Sequence, residues 1–209
     1  MKQKIKIWGR STSINVQKAL IALDECGLEY DQTIIGRQHG GNKEPWFLKL
    51  NPNGMVPAIQ DGELSLWESN AIIAYLCGKY SPGNLCPDDA NQRALCDQWM
   101  LWQITSVYPH LQPLFMHKVR ADEYTGGEAL LKSAPVKMAK ALDILEAELA
   151  GKDFIMGRSF TMADIPLGTI LKRWYILMDE DDRHANVLAW QKRLNERQSF
   201  TDHTNFPLE

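Results

Sequence analysis

The hydrophobic period of this chain changes once along its length, and that change limits the folds open to it. Before Pro82 apolar residues recur both at twos and at threes and fours; from Arg93 onward only the helical spacing is found. Lys4 to Trp8 reads K-I-K-I-W, a strand with one buried face. From Asn15, the residues Val16, Ala19, Leu20 and Leu23 fall at helical spacing, and Gly27 stands where a helix ends. Leu28 to Ile35 is rich in strand formers, so a right-handed β-α-β unit is expected. A polar, glycine-rich loop, Gly36 to Glu44, follows. Met55 to Ile59 and Glu63 to Leu66 then flank Gln60-Asp61-Gly62, a hairpin signal, and Ala71, Ile72, Tyr75 and Leu76 mark another amphipathic helix.

The first segment therefore reads β-α-β, connector, β-β-α. Ser81-Pro82-Gly83-Asn84 and Cys86-Pro87-Asp88-Asp89 punctuate its end, which predicts a domain over 1–82, a linker over 83–92 and an all-helical domain over 93–209. In that second domain Leu95, Trp99, Trp102 and Ser106 share one helix face, and Met138, Ala141, Leu142, Leu145 and Leu149 share another. Thr161 is expected to cap a buried helix running from Ile165 to about Leu177, with Asp164 reaching back.

With 44% hydrophobic and 23% charged residues in 209, the composition is that of a soluble globular protein. A net charge of -3 offers no basic footprint for nucleic acid or an anionic membrane. The longest apolar run, Ala71 to Cys77, is far short of a bilayer span, and MKQKIKIW leads into no signal-peptide core, so a cytoplasmic location is expected. Cys26, Cys77, Cys86 and Cys96 have neither C-x-x-C spacing nor nearby histidine pairs, so reduced thiols and no metal site are expected.

Pro57 interrupts the strand pattern Met55-Val56-Pro57-Ala58-Ile59, where it cannot donate to a ladder. Either it bends the chain, by a cis bond for instance, so that Val56 offers its N–H and C=O to another peptide backbone, or it blunts an edge strand against aggregation. Glu68-Ser69 stands at the start of the next helix, where unpaired N–H groups and the helix dipole favour an anion. A ligand carboxylate at Ser69 and an ammonium at Glu68 is one reading; a capping serine beside a first-turn acid is the other. Together Val56, Glu68 and Ser69 describe a site for a ligand that is part peptide and part amino acid.

The β-α-β, Val-Pro, β-β-α unit with "NPNGMVPAI" and "LWESNAIIAYL", the proline-rich linker, the helical second half and "FTMAD" resemble the cytosolic glutathione S-transferase family along nearly the whole chain. The opening "WGRSTSINVQKAL" is similar to bacterial members that carry a Ser-x-Asn motif before the first helix. The resemblance implies a thioredoxin-like N-terminal domain that binds glutathione as co-substrate, an all-α C-terminal domain, and no metal. It implies that Val56, beside Pro57, pairs with the cysteinyl backbone, that Glu68 and Ser69 hold the γ-glutamyl end, and that Arg37, Gln38 and His39 lie near the glycyl carboxylate.

Such chemistry needs a thiolate, and a free thiol has a pKa of about 8.5. Hydroxyl and amide donors at a helix N-terminus lower it. Ser11, Ser13 and Asn15 are the candidates; Ser13 matches the family's serine and Asn15 the asparagine two places on, though each also suits a helix cap. No cysteine occupies 11–15 and no tyrosine precedes the helix, which disfavours mixed-disulfide and tyrosine-dependent chemistry; Met55 stands where many serine-type members have a basic residue. The electrophile would lie between the domains near Tyr108, Phe115, His117, Arg120, Trp174 and Tyr175, with Arg120 drawing an acidic substrate, although most tryptophans at helical spacing belong to a core. The implied enzyme transfers an alkyl or aryl group to glutathione for detoxification and forms a homodimer; disulfide or peroxide reduction and a non-catalytic interaction role are the alternatives.

Overall fold

The structure is a computed structural model that describes residues 4–178 and 182–209. Its first half holds one sheet. β1 (Ile5–Trp8) runs parallel to β2 (Tyr30–Thr33) and antiparallel to β3 (Ala58–Asp61), which pairs antiparallel with β4 (Leu64–Trp67), giving the order β2-β1-β3-β4. α1 (Ile14–Glu25) makes the crossover, and α3 (Ser69–Tyr80) follows the hairpin.

β2 is shorter than the pattern Leu28 to Ile35 predicts. The chain leaves the sheet after Thr33 so that Ile35 packs with Phe47 and Ala58 in a small second core, with Ile34 left 44% exposed. β3 likewise starts only after Pro57, whose missing N–H ends the ladder, and continues through Asp61. The hairpin loop is therefore Gly62-Glu63, with Gly62 at φ 61°, one residue later than predicted. The Asp61 carboxylate accepts hydrogen bonds from Tyr75 (2.6 Å), Lys79 (2.7 Å) and Tyr80 (2.5 Å), clamping the hairpin onto α3. The connector holds a 3-10 turn, Arg37–His39, and a short helix, α2 (Pro45–Leu50), which brings Phe47 to that second core.

The second half comprises α4 (Ala90–Trp102), a π turn (Gln103–Val107), α5 (Tyr108–Val119), α6 (Glu128–Glu148), α7 (Asp164–Leu177), α8 (Ala185–Asn195) and α9 (Gln198–Thr204). α4 begins inside the stretch expected as linker, because the Asp89 carboxylate caps it by accepting from the Gln92 N–H at 2.9 Å. Its buried stripe is Cys96, Trp99 and Met100; Leu95 lies one residue off that stripe and is exposed rather than sharing the face of Trp99. On α6, Met138, Ala141, Leu142 and Leu145, with Leu149 just beyond, are all buried as their spacing predicts.

Thr161 does not cap α7. The helix opens at Asp164, whose buried carboxylate accepts from the Thr161 N–H (2.9 Å) and hydroxyl (3.3 Å), from the Ile155 N–H (2.9 Å) and from the indole N–H of Trp190 (2.9 Å). The acid reaches back as expected, but it is the acceptor for the whole corner.

α1 shows how the halves join. A helix with one apolar stripe should leave its other face in water, yet Val16 and Ala19 to Leu23 are all fully buried. α3 covers one side of α1, and α7 and α9 cover the other. One continuous apolar core results, running from Ile7 through Leu20 to Leu171 and Phe200. No helix among the described residues is long and apolar enough to cross a membrane.

Candidate active site

The end of β1, the start of α1, the Met55-Val56 segment and the α5 and α7 faces enclose a cavity of about 200 Å³. Ser13 sits at the N-cap of α1 in extended backbone (φ -74°, ψ 121°), yet its side chain caps nothing. The hydroxyl lines the cavity, 8% of the residue is exposed, and no described residue hydrogen-bonds to it. Asn15, two residues along, accepts a bond from the Ser69 hydroxyl at 3.3 Å and keeps its amide N–H groups free of partners among the described residues. Ser11 is placed differently: its hydroxyl accepts from Gln32 on β2 at 3.1 Å and does not line the cavity.

The Val56-Pro57 bond is cis. Val56 lines the cavity, and neither its N–H nor its C=O is bonded to any described residue. Glu68, which precedes α3, holds φ 71° and ψ 112°, a conformation that costs a residue with a side chain about 1–3 kcal/mol. That bend leaves the Glu68 side chain exposed and aims the start of α3, with buried Ser69, toward Asn15. Glu68 and Ser69 do not themselves line the cavity; Ser69 reaches it through Asn15.

The loop residues Arg37, Gln38 and His39 are exposed and already engaged in part. Arg37 makes a forked ion pair with Glu123 (2.6 and 3.2 Å), and Gln38 donates to the Glu209 carboxylate at 2.9 Å. Of the residues expected on the electrophile side, Tyr108, Phe115 and Arg120 line the cavity, and burial pushes the Tyr108 hydroxyl above its usual pKa. Trp174 is 5% exposed within the core and not in the lining, while His117 faces Tyr124 on the outside.

Family models for the glutathione S-transferase N-terminal domain and C-terminal domain match residues 3–77 and 107–198. Glutathione S-transferase GstB of Escherichia coli (strain K12) is 33% identical over 195 residues, covering 92% of this chain and 94% of that protein. The chain belongs to the glutathione S-transferase family. The probable glutathione S-transferase GSTF2 of rice is 31% identical over 93% of each chain. The crystal structure of the theta class glutathione S-transferase from Xanthomonas axonopodis pv. citri, with glutathione bound, superposes with a TM-score of 0.90 at 37% identity, covering 98% of this chain and 99% of that one. The chain is thus a glutathione transferase by fold and by kinship.

Several residues of this glutathione S-transferase site carry no local signal in the sequence. Arg10 and Arg173 line the cavity, and Arg173 lies next to Lys172 within the otherwise apolar run of α7, where a cation pair reads as a solvated face. Glu209 reaches back to Arg10 (3.5 Å), Thr12, Gln38 and, through its carbonyl, Arg120 (2.6 Å), contacts too distant in sequence for any pattern to report. Lys18 is buried inside α1, where it donates to Gln103 (2.9 Å) and Asn70 (3.4 Å), with no carboxylate bonded to it among the described residues.

Burial pushes the Lys18 ammonium down to about 7, against a partial pull upward from Glu68 and a further push down from Arg173. Its unfolded value is near 10.4. Between about pH 7 and 10.4 the unfolded chain therefore holds the extra proton, and stability rises with pH across that window at up to about 1.4 kcal/mol per unit. Thermal unfolding of the parent should gain on Lys18→Met as pH goes from 7 to 9.5. Parallel curves for the two proteins would show that Lys18 is not titrating there.

Proposed function

We propose that this glutathione S-transferase seats glutathione across the N-termini of α1 and α3 and uses the Ser13 hydroxyl to keep its sulfur ionised for attack on a small electrophile. One juxtaposition carries the reading: a largely buried Ser13 hydroxyl without a described partner faces the same cavity as the unpaired backbone of Val56. The Ser-x-Asn loop supplies a second donor, since Asn15 uses only its carbonyl on Ser69. Val56 with Pro57 pairs with the cysteinyl backbone, Ser69 and the first N–H groups of α3 take the γ-glutamyl carboxylate, and Glu68 takes its ammonium. Arg37, Gln38 and His39 face the glycyl end. The glutathione named in the Xanthomonas structure supports that ligand.

In the reaction the glutathione thiol gives its proton to solvent, the sulfur–carbon bond forms, and the leaving group departs with its bonding pair. A donor to sulfur is worth most when sulfur is charged, so Ser13 favours the thiolate over the thiol. The positive end of α1 adds to it. Conjugation is preferred over reduction because none of the four cysteines lines the cavity to form a mixed disulfide.

The stretch up to Pro82 forms the glutathione unit, the residues from there to the start of α4 the link, and the helices from α4 onward the electrophile wall of a cytoplasmic detoxification enzyme. A homodimer is part of this reading, supported by exposed Leu64 and Trp67 on β4 and Leu95, Leu101 and Ile104 on α4 and the π turn. Light scattering should give about twice the 23.8 kDa chain mass; a single-chain mass removes the dimer. Calorimetric titration with glutathione, followed by parallel assays of aryl halide conjugation and disulfide reduction, tests the activity. No binding at millimolar glutathione defeats the reading, and reduction outpacing conjugation replaces it with a reductase.

A further inference from the structure

Three guanidinium groups converge on the cavity that holds Ser13. Arg10 comes from the loop after β1, Arg120 from the end of α5 and Arg173 from α7. Arg120 and Arg173 bracket the ring of Phe115, with guanidinium carbons 4.9 and 5.1 Å from its centroid. Buried arginines are ordinarily matched by carboxylates. These are not. Arg173 donates to the Thr12 carbonyl (2.9 Å) and the Gln17 amide oxygen (3.4 Å), both neutral. Arg120 donates to the main-chain oxygen of Glu209 (2.6 Å), and the buried Nε atoms of Arg10 and Arg120 have no hydrogen-bond acceptor among the described residues.

Among the described residues the Glu209 carboxylate is the acid in contact with this cluster, at ion-pair distance from Arg10. Glu123 is spent on Arg37. Three cations against Glu209 leave the cavity with excess positive charge. Burial holds all three guanidiniums below their usual pKa, with repulsion from Arg120 adding at Arg10 and Arg173 and repulsion from Arg37 adding at Arg120, yet they stay protonated at neutral pH, Arg173 at about 10. Glu209 shows what the cluster accepts: its carboxylate sits on Arg10, Thr12 and Gln38 together.

We propose that the electrophile this enzyme takes beside Ser13 is a compact carboxylate-bearing molecule, its carboxylate held by Arg120 and Arg173 and its carbon frame against Phe115, Leu111 and Met116. The proposal deepens the transferase reading and rests on it. For a carboxylate-bearing aryl halide, the glutathione sulfur bonds to the ring carbon, the carbon–halogen bond breaks, and halide leaves with the bonding pair. The thiol proton has already gone to solvent, and the carboxylate is unchanged. A neutral electrophile of the same shape fills the same apolar space but leaves the guanidiniums unpaired, so selectivity comes from charge rather than size.

The test compares 4-chloro-3-nitrobenzoate with 4-chloro-3-nitrobenzamide, which share leaving group and shape and differ in charge. Each kcat/KM is divided by the uncatalysed rate with glutathione. The carboxylate should be favoured by about tenfold or more, chiefly through KM, as one charge-assisted hydrogen bond permits. Arg120→Gln should lower that preference about tenfold, and Arg120→Lys should keep most of it. The two glutathione conjugates are titrated alongside, so that binding is read without turnover. Equal normalised rates, equal conjugate affinities, or a preference unmoved by Arg120→Gln overturn the anion proposal while leaving the transferase intact. Failure to bind glutathione and both conjugates overturns the two readings together.

Discussion

Replacing Ser13 with alanine is expected to raise the pKa of bound glutathione's thiol by about one to two units and to lower kcat/KM at neutral pH by about 10- to 150-fold. A hydrogen bond to a charged group is worth about 1.5–3 kcal/mol, and each pKa unit corresponds to about 1.4 kcal/mol. The same energy sets the loss in rate when the thiolate is the nucleophile. The geometry makes this a clean substitution. Ser13 stands at the N-cap of α1 without capping it, so alanine removes no bond that the helix uses. Stability should therefore hold while activity falls, and the ultraviolet absorbance of the thiolate, titrated against pH in both proteins, separates the two effects. An unchanged titration would transfer the role to Asn15, whose free amide faces the same cavity. Ser11 is a poor substitute, since its hydroxyl is held by Gln32 outside the lining.

Asp164→Ala should act on the fold instead. Its carboxylate accepts four hydrogen bonds in a fully buried corner, and alanine would strand the N–H groups of Ile155, Thr161 and Trp190 without an acceptor. Each buried donor left unpaired costs about 1–3 kcal/mol, so a loss of about 4 kcal/mol is expected, a large part of the 5–15 kcal/mol that holds a typical domain together. For a chain of this length that lowers Tm by about 8–16 °C. Burial raises the Asp164 pKa while these donors pull it back down, so the site depends on its acceptor geometry more than on charge. Asp164→Asn keeps one acceptor oxygen and should fall between the parent and the alanine variant. A Tm for Asp164→Ala within 2–3 °C of the parent would mean the corner relaxes onto water.

What the sequence disclosed and what it hid divide along the range of the interactions involved. The strands, the hairpin and α1 follow from local period and turn residues, and all lie within a few residues of their own signals. Boundaries moved where a local rule met a tertiary one. β2 stops early because Ile35 is drawn to Phe47, and α4 starts early because Asp89 caps it. Thr161 and Asp164 were legible as a pair, but only the fold brings Ile155 and Trp190 to the same carboxylate. The arginine cluster was the hardest to see. Arg120 stands out beside a helix end, whereas Arg10 and Arg173 gain meaning only when residues some 160 apart in sequence meet, as Arg173 and Thr12 do with |i−j| of 161.

The burial of α1 on every side bears on how this enzyme can be taken apart. Two family models match the two halves separately, which invites treating them as interchangeable modules. Yet Glu25 is tied to Arg197 and Ser199, Asp24 to His203, Gln17 to Arg173 and Lys18 to Gln103, so α1 belongs as much to the helical half as to the sheet. A chimera that joins this N-terminal half to a relative's C-terminal half would keep the Ser13 and Val56 side of the cavity and lose the α5 and α7 side. Recombination within the family has to carry α1 and its partners on α7 and α9 as one inherited unit.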